Sequence, residues 1–125
     1  PDNVRAFVMD IHKTDFKDNF FDRIIVNSSY PHFKNKKTAL KEIYRIMKPN
    51  GMGIICHPSG RKYVNNLHAD THPLIAQHIV ENISELKMSI QLCGFKFLKG
   101  IDEENFFLVS FTKYLIQSQP TPLSG

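Results

Sequence analysis

Apolar positions along the chain change period several times, and each change marks an element. Val4, Ala6, Phe7 and Val8 lead into Asp10, a short β-branched and aromatic run that predicts a strand over 4–10. The polar stretch from His12 to Asn19 predicts a loop. Phe21 to Asn27 is a second run, and its consecutive Ile24, Ile25 and Val26 predict a strand covered on both faces, as parallel strands in α/β sheets are. Leu40, Ile43, Tyr44 and Met47 then recur at helical spacing and predict a helix from about Lys36 to Met47. Asn35 is placed to cap it, and Pro49-Asn50-Gly51 to stop it. Met52 to His57 predicts the next strand, so strand, helix and strand form a right-handed crossover with a parallel pair. Beyond Pro58-Ser59-Gly60 the period is weak until Ser84, the predicted N-cap of a helix that carries Leu86, Ile90 and Cys93 on one face and ends at Gly94. Phe95–Lys99 and Asn105–Tyr114 predict two more strands. The acidic loop Asp102-Glu103-Glu104 between them is too short for a crossover helix, so they form an antiparallel hairpin.

Composition narrows the class. The chain has 125 residues, 42% hydrophobic and 22% charged, which suits one globular domain rather than a disordered or fibrous segment. Its two cysteines, Cys56 and Cys93, form no metal-ligand spacing and suit free core thiols in a reducing compartment. No apolar run approaches the roughly 18 residues of a membrane span, and a cytoplasmic location is expected. The net charge of +4 gathers in Lys34, Lys36, Lys37, Lys41, Arg45 and Lys48, opposed only by Glu42. No stacking aromatics accompany that stripe, so it reads as a solvated helix face and nucleic acid is not an expected partner. The chain opens on Pro1 and enters a strand-like pattern at once, so it is expected to be part of a longer domain; Gln117 to Gly125 reads as a loose tail.

The order of these pieces resembles the second half of a class I S-adenosylmethionine-dependent methyltransferase, of the methyltransferase type 11 kind. In that family an acid ends the third strand, an F-D segment starts the fourth, a helix ends in a Lys-Pro-x-Gly turn before the fifth, and a Gly-Phe junction precedes a terminal hairpin. The counterparts here are Asp10, Phe21-Asp22, Arg45-Ile46-Met47-Lys48-Pro49-Asn50-Gly51, Gly53-Ile54-Ile55 and Gly94-Phe95. The resemblance runs over residues 4–114, with Asn19 to Gly51 its most specific part. It implies a partial Rossmann-like α/β sheet with a terminal antiparallel hairpin, in a family whose full strand order is 3-2-1-4-5-7-6. The family's glycine-rich cofactor loop has no counterpart, because none of the six glycines makes a Gly-x-Gly-x-Gly. Binding of S-adenosylmethionine by these residues alone is accordingly expected to be poor. The edge left open beside the fourth strand implies a homodimer, or a first strand that pairs elsewhere. The rival expectation is a non-catalytic interaction module of the same fold.

The resemblance also implies site residues. Asp10 would accept from the adenine amino group, Ile11 would pack near the ring, and Asn27 and Ser28 would line the methionine end of the cofactor. Ser29-Tyr30-Pro31-His32-Phe33 and His57-Pro58-Ser59-Gly60-Arg61 resemble a subgroup acting on small molecules. Methyl transfer from a sulfonium is a direct displacement in which positioning supplies most of the rate, and a base is needed only when the acceptor carries a proton. His32, which follows the fourth strand, and His57, which ends the fifth, are expected to overhang the cleft and are the candidate bases, with a hydrogen-bonded loop histidine as the plainer reading of each. Tyr30 is a candidate aromatic wall for the sulfonium, with ordinary packing as the alternative. Arg61, Asn65 and His68 fall on one face if their segment is helical, and suit an anionic acceptor. His68 and His72 lack a third ligand, so no metal is expected.

Overall fold

The computed structural model describes residues 3–58 and 82–114. In chain order these form β1 (Phe21–Asn27), a 3-10 turn (Tyr30–His32), α1 (Lys36–Ile46), β2 (Met47–His57), α2 (Ile83–Leu92), β3 (Lys96–Glu103) and β4 (Phe106–Thr112). The strands make one mixed sheet in the order β1-β2-β4-β3. β1 and β2 are parallel, with Val26 opposite Ile55, while β4 runs antiparallel to both β2 and β3. This is the 4-5-7-6 end of the sheet that the resemblance implies.

One face of the sheet carries the core. Val26 of β1, Ile55 of β2, and Phe107, Val109 and Phe111 of β4 meet Leu40 and Ile43 of α1 and Leu86 and Ile90 of α2, all buried. Alternate residues on β4 are inward and outward, as the strand period requires. The helical stripe read from the sequence is thus the surface that α1 lays on the sheet. Asn35 caps α1 by accepting from the Thr38 N–H at 2.9 Å. Gly94 ends α2 at φ 102°, where a side chain would be strained and its Cβ would come within 3.1 Å of the Tyr44 ring.

Several expectations need correction. Residues 4–10 form no strand: among the described residues no chain offers them a ladder, and Val4, Phe7 and Val8 are exposed. An apolar run cannot make a strand without a hydrogen-bonding neighbour. β1 is covered on one face only, with Val26 buried and Ile25 64% exposed, and among the described residues nothing pairs with its outer edge. α2 begins one residue before Ser84, and its cap is Asn82, whose side chain accepts from the Glu85 N–H at 2.9 Å. The helix stop before β2 is Met47, in extended conformation. Lys48–Gly51 then bulges out, since Phe21 pairs with Met47 while Arg23 already pairs with Met52. Asn50, at φ 65°, turns that bulge. Residues 117–125, read as a tail, lie outside the described residues.

The predicted polar loop has a definite course. Residues 10–20 run as a strap along α1, from its first turn to its last. At the far end the N–H groups of Asn19 and Phe20 donate to the carbonyls of Arg45 and Ile46 at 2.9 and 2.8 Å. Lys113 seals that end: its ammonium donates to Asn19 Oδ1 and to the Tyr44 carbonyl at 2.7 and 2.9 Å and lies 4.4 Å from the centre of the Tyr44 ring. Burial lowers the pKa of this lysine. Beside it, Phe7, Phe16, Phe20 and Phe21 pile together, with Phe16 and Phe21 edge to face at 4.8 Å.

Midway along the strap, Thr14 donates its N–H and its hydroxyl to Glu42 Oε2 at 2.6 and 2.7 Å. Arg45 forks onto the same carboxylate, Nε to Oε1 and Nη2 to Oε2, both at 2.8 Å, and reaches Asp18 at 2.7 Å with Nη1. Arg45 therefore belongs to an internal tie rather than to the solvated basic face. Lys34, Lys37, Lys41 and Lys48 do stay exposed.

Candidate active site

The site is built where the strap begins. In parallel α/β sheets the chain leaves each strand at its carboxyl end and enters the next helix by its amino end, so ligands meet strand ends and helix starts together. Here β1 ends at Asn27, the chain turns through Ser28–Phe33, and α1 starts after Asn35. The strap brings Asp10 to that same end through His12. The His12 N–H donates to Asp10 Oδ1 at 2.9 Å, and His12 Nδ1 lies 2.6 Å from the same oxygen. Its other nitrogen, Nε2, accepts from the Asn35 backbone N–H at 3.0 Å. One ring thus joins the acid to the helix start.

Asp10 itself faces solvent, its side chain 70% exposed. Its pKa is lowered, first by the bond from the His12 backbone N–H and then by the bond from the His12 ring. An ionised carboxylate accepts only, and Oδ2 carries no bond among the described residues, so this group suits an amino donor. Ile11, next in the chain, is half-buried and packs on the fringe of the core.

The Asn27–Ser28 turn is equally definite. Ser28 has φ 58° and donates its N–H to the Cys56 carbonyl at 2.9 Å, which holds the turn to the end of β2. Asn27 Oδ1 accepts from Ser28 Oγ at 3.1 Å, with Cys56 Sγ 3.8 Å away, and the Asn27 carbonyl accepts from Ser29 Oγ at 3.0 Å. Asn27 itself is exposed.

Of the two candidate bases, His32 is exposed at the end of the 3-10 turn, whereas His57 does not overhang a cleft: it is 1% exposed, inward on β2 and 5.8 Å from the Phe107 ring. The side-chain period explains the difference, because His57 shares the inner face with Gly53 and Ile55. Tyr30 is wholly buried, edge-on to Phe33 at 5.7 Å with the Lys36 ammonium 5.8 Å from its ring centre. Arg61, Asn65, His68 and His72 lie outside the described residues. Sequence reasoning passed over His12 as one polar residue in a loop. The available signal was its position two residues after Asp10, the spacing at which an aspartate side chain bonds the backbone in a tight turn.

Comparisons with known proteins bear on the fold and on residues 1–55. The family described as "Methyltransferase domain" matches residues 1–55. The ubiquinone/menaquinone biosynthesis C-methyltransferase UbiE of Coxiella burnetii is 34% identical over 53 residues, which span 42% of this chain and 21% of that protein. The chain therefore matches about a fifth of that relative's length. Among solved structures, the complex of the Haloferax volcanii Trm112 methyltransferase activator with a methyltransferase aligns with a TM-score of 0.72 and 15% identity, over 87% of this chain and 61% of that one. A SAM-dependent methyltransferase from Aquifex aeolicus aligns at 0.67 and 19%, over 87% and 54%. The structural likenesses carry the fold, and the sequence match carries the kinship of the strap, β1 and α1. The fold is thus the one those methyltransferase structures share, and residues 1–55 are similar to the type 11 methyltransferase domain.

Proposed function

We propose that these residues form one side of a cleft in which a methyl group passes from S-adenosylmethionine to a small-molecule acceptor. The observation that carries the reading is the pinning of Asp10 beside the helix start that follows β1, with Oδ2 open to an amino donor. Asp10 would hold the exocyclic amino group of adenine, with Ile11 beside the ring, while Asn27 and Ser28 would meet the methionine end. Bound there, S-adenosylmethionine supplies an electrophilic methyl. The chain's own part is to orient that group and, for an acceptor that loses a proton, to receive it. His32 is the exposed histidine suited to that task; His57, enclosed against Phe107, supports the end of β2. The acceptor's size class rests on the resemblance over Ser29–Phe33.

The test is amide NMR of the full chain during titration with S-adenosylhomocysteine. With no Gly-x-Gly-x-Gly loop to approach the ribose and carboxylate, affinity in the millimolar range is expected, about −4 kcal/mol at 1 mM. Shifts should concentrate at Asp10–His12 and Asn27–Ser28 and disappear in Asp10→Ala. Shifts elsewhere, or none, would remove the reading. Micromolar affinity would show that the glycine loop is dispensable.

The open edge of β1 favours a second reading, an interaction module. Ile25 on β1 and Phe20 just before it are exposed, as are Phe7 and Val8 upstream, and an unpaired edge invites another strand. The chain is expected to sediment as a dimer, with Ile25→Lys shifting it toward monomer. A wild-type monomer at high protein concentration would count against association through this edge.

A further inference from the structure

Resting on the Asp10 reading above, we propose that His12 is a positioning residue that orients the Asp10 carboxylate, leaves Oδ2 as the oxygen offered to a ligand, and ties that oxygen to the first turn of α1. A simple turn would need only the 2.9 Å bond from the His12 N–H to Oδ1. Two further contacts exceed that need. The ring's Nδ1 lies 2.6 Å from the same oxygen, and its Nε2 accepts from the Asn35 N–H at 3.0 Å. Because a backbone N–H can only donate, Nε2 must be bare; a nitrogen 2.6 Å from a carboxylate oxygen must then carry the proton. The imidazole is accordingly neutral and protonated at Nδ1.

Held at both nitrogens, with the Phe33 ring edge-on at 6.3 Å, the imidazole has no free rotation. The carboxylate is fixed in turn. The same logic fixes ligand orientation in metal sites, where a partner on one ring nitrogen sets the tautomer and the aim of the other. Asn35 adds the reach into the fold, because its side chain caps α1 through Thr38 while its backbone N–H holds His12. Oδ2 is therefore positioned relative to the helix axis rather than relative to a free loop.

Two measurements on the full chain test this. Long-range proton–nitrogen NMR should show His12 protonated at Nδ1 and bare at Nε2; the opposite tautomer, or an even mixture, would overturn the proposal whether or not any ligand binds. The second is shift titration with S-adenosylhomocysteine and with its inosine counterpart, in which a carbonyl replaces the adenine amino group. The wild type should prefer the amino form by about tenfold, the scale of one charge-assisted hydrogen bond. His12→Phe, which keeps a ring against Phe33 but removes both nitrogens, should bring that preference close to unity while the amide spectrum of the sheet stays unchanged. If His12→Phe does not fold, His12→Leu, which also lacks both nitrogens, serves in its place. A variant that keeps the full preference refutes the positioning role. A wild type without any preference refutes the Asp10 reading instead, and the tautomer then decides His12 alone.

Discussion

Replacing Glu42 by Gln should cost about 2 to 3 kcal/mol and lower the melting midpoint by roughly 10 °C, with the deficit shrinking as the solution is acidified. The carboxylate is 10% exposed and takes four hydrogen bonds, two from Thr14 and two from Arg45. An amide in its place can accept at one atom only and turns an NH2 toward a guanidinium. The Arg45 bonds, more than those from Thr14 and against the opposing effect of burial, bring the Glu42 pKa from 4.5 down to about 2. A carboxyl depressed in the folded state adds stability that is whole above its unfolded value and is lost as pH falls. The window is set by the same two values: wild type and Glu42→Gln should differ fully above 4.5 and converge toward about 2. Urea unfolding across that range reads the difference directly. Two curves that stay parallel would mean that the tie contributes nothing in its ionised form.

Gly53→Ala should destabilise the chain by about 1 to 3 kcal/mol through overpacking. Gly53 lies opposite Phe111 in the β2–β4 register, and a Cβ there would fall 2.3 Å from Cε2 and 2.5 Å from Cζ of that ring. The ring cannot swing aside cheaply, because it is wholly buried and packs edge-on against Phe95 at 4.6 Å. Phe111→Leu would itself leave a void, yet combined with Gly53→Ala it should cost at least about 1 kcal/mol less than the two separate changes added together. Strict additivity in that cycle would place the strain elsewhere.

How much of this was legible depends on the range of the interaction. The period of Leu40, Ile43, Tyr44 and Met47 marked α1 because a helix face repeats within a few residues, and the short acidic loop marked the β3–β4 hairpin because a short connection forbids a crossover. Asp10 became a candidate through resemblance alone, as the acid that ends the first apolar run. The strap was not. Glu42 and Arg45 look like any surface pair three residues apart, and what makes them an internal tie is Thr14, 28 residues upstream of Glu42. His12 likewise finds Asn35 23 residues on, so its spacing from Asp10 could announce the turn but not the tie to α1. The strand misread over 4–10 shows the converse: composition can propose a strand, but a neighbouring strand has to complete it.

The strap's construction bears on how affinity is governed. It is held by discrete polar ties at His12, Thr14 and Asn19 together with the packing of Ile11 and Phe16, so weakening those ties is expected to release it along α1 before the sheet opens. Any ligand that needs Asp10 in place sees only the attached fraction of molecules, and its measured affinity scales with that fraction. Residues that never touch a ligand, Glu42 and Arg45 first among them, would thereby set how tightly it is held.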